Sequence, residues 1–311
     1  MKPKFKFKDL YLPAMTVLCL LPLFLLAFEQ PAYAPADQDN AESQKETPHR
    51  VISLAPSITE IIFLIGAQDK LVGVTRYCDY PPSANKIAKV GGFLDPSYES
   101  IVRLAPDLVL TLEEHRDHRK ALDDLGIKTF TVSHRFLGDV MNSVISIGKV
   151  LGREDSAEHA ASALKERLAK VLAAKHHSIP PRVLISVGGH LGVIGFNHAS
   201  IASRKTIYNE IIEMVGGTNA MTSDIPFPTV SAEGILTLDP DIIIDLVPEA
   251  NAHPELKSEV ERVWKTIPGL RAVNNGHLYI LSEEALVRPG PRVVDAVEVI
   301  SGIVNLGREG E

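Results

Sequence analysis

Tyr77, Cys78 and Tyr80 stand within four residues of one another in the run TRYCDYPP, Thr75 to Pro82. Two phenols and a thiol beside Asp79 suit a soft or Lewis-acidic metal centre, aromatic contact with a large flat ligand, or both. With Pro81 and Pro82 they equally suit a tight turn with half-buried rings. His190, in the glycine-rich segment Gly188 to Gly192, and His198 could add imidazole, although loop histidines are more often simply solvated.

A second set of residues comes in pairs. Ser97 to Asp107 aligns without gaps on Ser231 to Asp241, with six of the eleven positions identical. The same register pairs Phe93 with Phe227, and upstream Glu60-Ile61-Ile62 and Gly66 match Glu210-Ile211-Ile212 and Gly216. Matches in the same order predict two duplicated lobes. Phe93 and Phe227 then become two aromatic walls on loops at strand ends, where open α/β sheets bind ligands. Taken singly, each is an ordinary core residue. Glu99 and Glu233 each follow a serine by two residues and fall in a first helical turn, where a carboxylate complements the macrodipole by ~0.3–1 kcal/mol. Their equivalence also makes them symmetric docking points for a two-fold partner. From Gly66 to Phe93 is 27 residues but from Gly216 to Phe227 only 11, so TRYCDYPP belongs to an excess that the first lobe alone carries.

Enzyme signatures are missing: there is no Walker loop, G-x-S-x-G elbow, H-E-x-x-H or C-x-x-C, and no close cage of His and carboxylate ligands. A rival enzymatic reading takes Cys78 as nucleophile with His134 as base.

The elements that must position these groups begin after an N-terminal segment of different character. Lys2, Lys4, Lys6 and Lys8 precede an apolar run from Leu10 to Phe28 broken by Pro13 and Pro22, which reads as an export signal over residues 1–36, cut before Asp37. An uncleaved anchor is the alternative. Removing those residues, with four lysines and two acids, takes the formal charge from −7 to −9 and excludes nucleic acid as a natural partner. It also leaves Cys78 as the single cysteine, so no intramolecular disulfide forms. Residues 37–49 are polar and predict a disordered leader.

From Arg50 the pattern alternates β and α, which predicts parallel sheets covered by helices. Strands are expected at Arg50 to Leu54, Leu71 to Thr75, Asp107 to Thr111 and Lys128 to Val132, and Ser57-Ile58-Thr59-Glu60 reads as a capping box opening the first helix. Gly138 to about His176 contains no proline and has helical spacing throughout, as one long helix or two joined near Gly152. The β/α pattern then resumes after Pro180-Pro181. The expected organisation is α/β, with a first lobe over 50–137, a bridging helix over 138–178, a second lobe over 179–311, and a ligand cleft between the lobes.

The segments RVISLAPSITEIIFLIGA, LVGVTRYCDYPP, GGFLDPSYESIVRLAPDLV and DIPFPTVSAEGIL together resemble the bacterial substrate-binding proteins that serve importers of cobalamin, haem and ferric siderophores, most closely the corrinoid-binding members. The similarity runs from about Arg50 to Gly302. It implies that a rigid helix bridges the lobes, that Tyr77 contacts a corrinoid, that Phe93 and Phe227 stand where relatives have cleft tryptophans, and that Glu99 and Glu233 dock onto the transporter. It places the stretch from Glu284 to Arg288 at another ligand-contacting loop. Cys78 stands where a relative has serine, and the relative's second-lobe disulfide has no counterpart. The implied function is a monomeric extracytoplasmic receptor, with no cofactor of its own, that hands cobalamin or another corrinoid to a membrane ABC importer, a permease dimer with ATPase subunits. In the haem alternative, Tyr77 or Tyr80 with His190 or His198 would be axial ligands, Cys78 being a further metal candidate. A ferric siderophore would call on Arg76, Arg135, Arg204 and Arg288.

Overall fold

The computed structural model describes residues 47–173, 179–188 and 195–306. The predicted export signal, most of the leader and His190 lie outside the described residues. Residues 47–49, the end of the predicted disordered leader, are instead tied to the first lobe: the Pro48 carbonyl accepts from Lys70 Nζ at 2.7 Å, and the His49 N–H donates to Asp107 at 2.8 Å.

The first lobe runs β1 (Val51–Ser53), α1 (Pro56–Leu64), β2 (Leu71–Val74), α2 (Tyr98–Arg103), β3 (Leu108–Leu112), α3 (Arg116–Asp124) and β4 (Thr129–Val132). Two connecting helices follow, α4 (Leu137–Leu151) and α5 (Glu154–Leu172). The second lobe opens with β5 (Arg182–Val187), β6 (His198–Ser200), α6 (Ile207–Met214), β7 (Thr218–Asn219) and β8 (Thr229–Ser231). It closes with α7 (Ala232–Leu238), β9 (Ile242–Leu246), α8 (Glu255–Trp264), α9 (Arg271–Asn274), β10 (Leu278–Leu281) and α10 (Val293–Leu306).

Each lobe is built on a parallel four-stranded sheet, ordered β2-β1-β3-β4 in the first and β7-β5-β9-β10 in the second. The central strands are continuous apolar runs, Leu-Val-Leu-Thr-Leu in β3 and Ile-Ile-Ile-Asp-Leu in β9, buried at every position as strands covered on both faces must be. The sheets correspond strand for strand, β1 to β5, β2 to β7, β3 to β9 and β4 to β10, in agreement with the duplication read from the sequence. A short antiparallel pair, β6 with β8, has no signal in the periodicity because each strand has only three residues.

Equivalent side chains repeat the same local construction. The Arg50 guanidinium, before β1, donates to the Leu104 carbonyl at 2.6 Å while its backbone N–H donates to the Asp107 carboxylate; the Arg182 guanidinium, opening β5, donates to the Leu238 carbonyl at 2.7 Å and its backbone N–H to Asp241. Those carbonyls lie at the ends of α2 and α7, and the next residues, Ala105 and Asp239, are the only non-glycine residues with positive φ among those described, at 42° and 41°. The helices carrying Glu99 and Glu233 are thus anchored in the same way in both lobes.

Two expectations are corrected. Ser57 and Glu60 form no capping box: α1 begins at Pro56, whose missing N–H needs no partner, Ala55 is the N-cap, and Glu60 turns away to Arg292. The connection is not one helix over 138–178 but α4 and α5, the second of the two arrangements the sequence allows. Gly152 takes the left-handed conformation at φ 64° and ends α4, and residues 174–178 lie outside the described set. The two helices pack so closely that a Cβ on Gly148 would lie 2.2 Å from Ala157 Cβ. Gly148→Ala is therefore expected to lower stability by roughly 1–3 kcal/mol through overpacking despite its better helix propensity. Urea unfolding checks this, and Ala157→Gly should restore part of the loss.

The largest apolar cluster draws on α1, α4, α5, α6 and α10 and on strands of both sheets, so the lobes are joined by shared core. No described helix is long and apolar enough to cross a membrane.

Candidate functional site

Both sheets point the ends of their strands, and the starts of the helices that follow, into one cleft of about 680 Å³. The first lobe contributes Pro56 and Ser57 from the start of α1, Tyr77 and Phe93 from loops, Leu112 from the end of β3, and His134 and Arg135 from the turn after β4. The second lobe answers with Thr206, Ile207 and Tyr208 at the start of α6, Phe227, and Val287 to Pro289 from the loop before α10. Glu114 and Lys205 are charged groups on its lips. A mostly apolar cleft with a few convergent polar groups is the usual form of a small-molecule site.

Phe93 and Phe227 do face this cleft from opposite lobes. The Phe93 ring is tilted on His115 with centroids 4.6 Å apart, and His115 Nε2 lies 3.0 Å from the Phe93 carbonyl, so backbone and ring are both held. Phe227 meets Tyr208 edge-on at 6.3 Å and remains 44% exposed, free to cover a ligand face. The Tyr208 hydroxyl donates to the Leu286 carbonyl at 2.7 Å and is already committed. Tyr77 is also in the lining and its ring is 47% exposed, with Arg76 near its face.

The other members of TRYCDYPP go elsewhere. Cys78 is fully buried in the first-lobe core, its sulfur 3.2 Å from Thr59 Oγ1 and 3.1 Å from Thr75 Oγ1. Burial pushes its thiol up from the usual range, and it has neither access nor thiolate character for ligation or nucleophilic attack. The expectation of Cys78 at the ligand is therefore corrected: in the fold it is a small apolar filler where the chain turns under the loop. Asp79 reaches across to the second lobe and pairs with Arg288 at 2.7 Å. Tyr80 stacks on the Arg292 guanidinium, 4.0 Å from the ring centroid, and faces a separate cavity of about 380 Å³. Glu284 lines that second cavity and holds Arg288 at 2.8 Å, so Arg288 alone of this loop's predicted pair lines the main cleft. His198 is exposed in β6 and is not among the cleft residues, and His190 lies outside the described residues. No group of three or more metal-ligating side chains occurs among the described residues.

Of the four candidate arginines, Arg135 and Arg288 line the cleft, whereas Arg76 pairs with Asp95 and Arg204 with Asp224. His134 was considered only as a base for Cys78; it instead sits in the cleft floor with Nδ1 2.8 Å from Ser57 Oγ, 5% exposed. Burial pushes its imidazole down from 6.5 to about 4, with Asp139 and the Pro289 backbone offsetting part of the effect, so the floor is uncharged at neutral pH. Ser57, Thr206, Ile207 and Tyr208 were not foreseen. The repeat held the signal: cleft walls are helix starts, and the positions just before the paired Glu60 and Glu210 line it in both lobes.

Glu99 and Glu233 lie outside the cleft, exposed in the first turns of α2 and α7. Ser97 and Ser231 cap these helices by accepting from the N–H of Ser100 at 3.2 Å and of Gly234 at 3.4 Å. Hydrogen bonds from its own N–H and the Ser231 hydroxyl hold the Glu233 carboxyl below the usual range.

Known proteins with this arrangement are numerous. The chain is 27% identical over 263 residues to the vitamin B12-binding protein of Vibrio cholerae serotype O1, covering 84% of this chain and 90% of that one. It is 29% identical over 276 residues to the ABC transporter substrate-binding lipoprotein YvrC of Bacillus subtilis, covering 86% and 84%. Among solved structures, the periplasmic vitamin B12 binding protein BtuF of Vibrio cholerae superposes with a TM-score of 0.72 at 26% identity, over 85% of this chain and 99% of that one. The periplasmic heme-binding protein BhuT, in complex with two hemes, shares the fold with a TM-score of 0.72 at 21% identity, over 83% and 98%. The sequence profile of the periplasmic binding protein family matches residues 51–285, which take in both sheets and most of the cleft wall. The chain belongs to the periplasmic binding protein family.

Proposed function

We propose that this binding protein captures a corrinoid, cobalamin or a precursor, in the cleft between its lobes and delivers it to an ABC importer from the periplasm, where an N-terminal signal sends it. Membership of the family makes it a substrate-binding protein of an ABC importer, acting outside the cytoplasm, and not an enzyme. The observation that carries the corrinoid reading is the pairing of Phe93 and Phe227 across an apolar cleft with Tyr77 beside them. Two rings from opposite lobes offer apolar contact to both sides of a large macrocycle, while Ser57, Arg135 and Arg288 supply the few polar contacts that fix orientation. The vitamin B12-binding relatives support it.

Titration with cyanocobalamin, cobinamide and haemin, followed by absorbance and calorimetry, is the test. Heat of binding is expected from the two corrinoids. Haemin binding with a tyrosinate charge-transfer band, and no heat from either corrinoid, would replace the corrinoid by haem. The haem reading rests on Tyr77, whose phenol is exposed in the cleft, whereas that of Tyr208, the other tyrosine among the described cleft residues, is committed to the Leu286 carbonyl.

Delivery is assigned to Glu99 and Glu233. The double variant Glu99→Ala/Glu233→Ala is expected to bind the ligand as the unaltered protein does, because both side chains lie outside the cleft, and to lose most of its transport. Uptake of labelled ligand by cells that depend on the variant measures this. Equal uptake removes the docking role.

A further inference from the structure

The glutamates that open the two Glu-Ile-Ile triplets, Glu60 and Glu210, take no part in the cleft lining or in docking. Each leaves its own lobe. Glu60, on α1, accepts from Arg292 at 2.5 and 2.9 Å, and Arg292 is the residue immediately before α10. Glu210, on α6, accepts from the N–H of Leu137 at 2.7 Å, and Leu137 is the first residue of α4. In the matching sheets, α4 follows the last strand of the first lobe and α10 the last strand of the second. The first helix of each lobe thus grips the start of the helix that follows the other lobe's last strand, through the same residue of the repeat.

The geometry points to Glu60 and Glu210 as positioning residues, a reciprocal clasp that fixes the angle between the lobes and hence the width of the ligand cleft. Three observations support this. First, α1 and α6 are themselves cleft helices: Pro56 and Ser57 lie one turn before Glu60, and Thr206, Ile207 and Tyr208 lie within one turn of Glu210. A rotation of one lobe that moved these walls apart would have to break both grips. Second, Glu60 is almost wholly enclosed, its side chain 2% exposed, and Arg292 is held from its other side by Tyr80 of the first lobe. A buried carboxylate is tolerated only with its partner in place, which makes the grip nearly all-or-none. Third, the Glu210 carboxylate meets a helix N-terminus, where a free N–H and the macrodipole both favour it. The two halves use different chemistry at the same place, as expected when a duplicated contact has been kept through sequence change.

The clasp concerns the lobes, and only its effect on capture rests on the cleft being the ligand site. Spin labels on Arg103→Cys and Thr237→Cys, exposed equivalents on α2 and α7, report the distance between lobes; Cys78 is buried, and a Cys19→Ser background removes the chain's one other cysteine wherever the N-terminal segment is retained. The clasped protein should give one narrow distance, unchanged by cyanocobalamin or haemin. Glu60→Gln/Glu210→Ala should broaden and lengthen it, and dissociation of whichever probe binds should speed about tenfold, with association within about twofold. Glu210→Ala alone, at a half-buried site, serves if the double variant does not fold, and should give an intermediate width. Gly148→Ala, destabilised at a contact between α4 and α5 only, should leave the distance narrow, which separates the clasp from general loss of stability. A distribution in the clasp variants that superimposes on the original overturns the proposal, as does broadening with an unchanged dissociation rate. If neither probe binds, it is the corrinoid and haem readings that fail, while the distances still decide the clasp.

Discussion

Removing both cleft rings, Phe93→Ala/Phe227→Ala, is expected to weaken capture of whichever of the proposed ligands binds roughly a thousandfold, read as Kd by calorimetry. Truncating a large anchor in a binding pocket costs about 2 kcal/mol, and two such losses amount to about three decades of affinity. The rings come from different lobes and share no contact, so their effects should add. Phe227 is 44% exposed and contributes little to the fold, so Phe227→Ala should melt near the original temperature while losing about thirtyfold in affinity. Phe93 leans on His115, but the 3.0 Å contact between His115 Nε2 and the Phe93 carbonyl does not depend on the ring. A combined loss of less than tenfold would mean that the aromatic walls are not what holds the ligand.

The duplication was legible because it survives as identical residues at fixed spacing, and because parallel strands buried on both faces write themselves as unbroken apolar runs. Phe93 with Phe227, and Glu99 with Glu233, were found from that repeat and not from any local motif. What the sequence could not convey was direction. TRYCDYPP looks like one cluster, yet its backbone turns so that Tyr77 faces the cleft, Cys78 the core, Asp79 the opposite lobe and Tyr80 a second cavity. Side chains in a non-repeating loop have no period from which to read a face.

The misread capping box has the same origin. Ser57-x-x-Glu60 satisfies the local pattern, but Ser57 lies against His134, 77 positions away, and Glu60 against Arg292, 232 positions away. A partner at such separation outbids a local hydrogen bond once the core brings it within reach, and no window of sequence contains both. The paired Glu-Ile-Ile triplets were visible as a repeat; that the glutamates exchange lobes follows only from the topology. His134 is a similar case, for its neutral state is set by its enclosure in the cleft floor.

That enclosure makes the fold sensitive to acid. Burial pushes both His115 and His134 down from 6.5 to about 4, and both side chains are at most 5% exposed. In the unfolded chain each imidazole takes up its proton near pH 6.5, whereas the folded chain resists until about pH 4. The unfolded state therefore binds more protons across that interval, and stability falls as pH falls. The contribution of each histidine is complete above pH 6.5 and lost progressively down to about pH 4, by about 3 kcal/mol apiece. Together these amount to a large share of a typical domain's total stability. Urea unfolding at a series of pH values should show a steep decline between pH 6.5 and 4. His115→Gln/His134→Gln should start lower at pH 7, having lost imidazole packing, but should decline far less over the same interval. Because His115 supports the Phe93 wall and His134 forms the floor, ligand affinity should fall over the same range. Parallel acid profiles for the original and the doubly substituted protein would rule out these two imidazoles as the groups responsible.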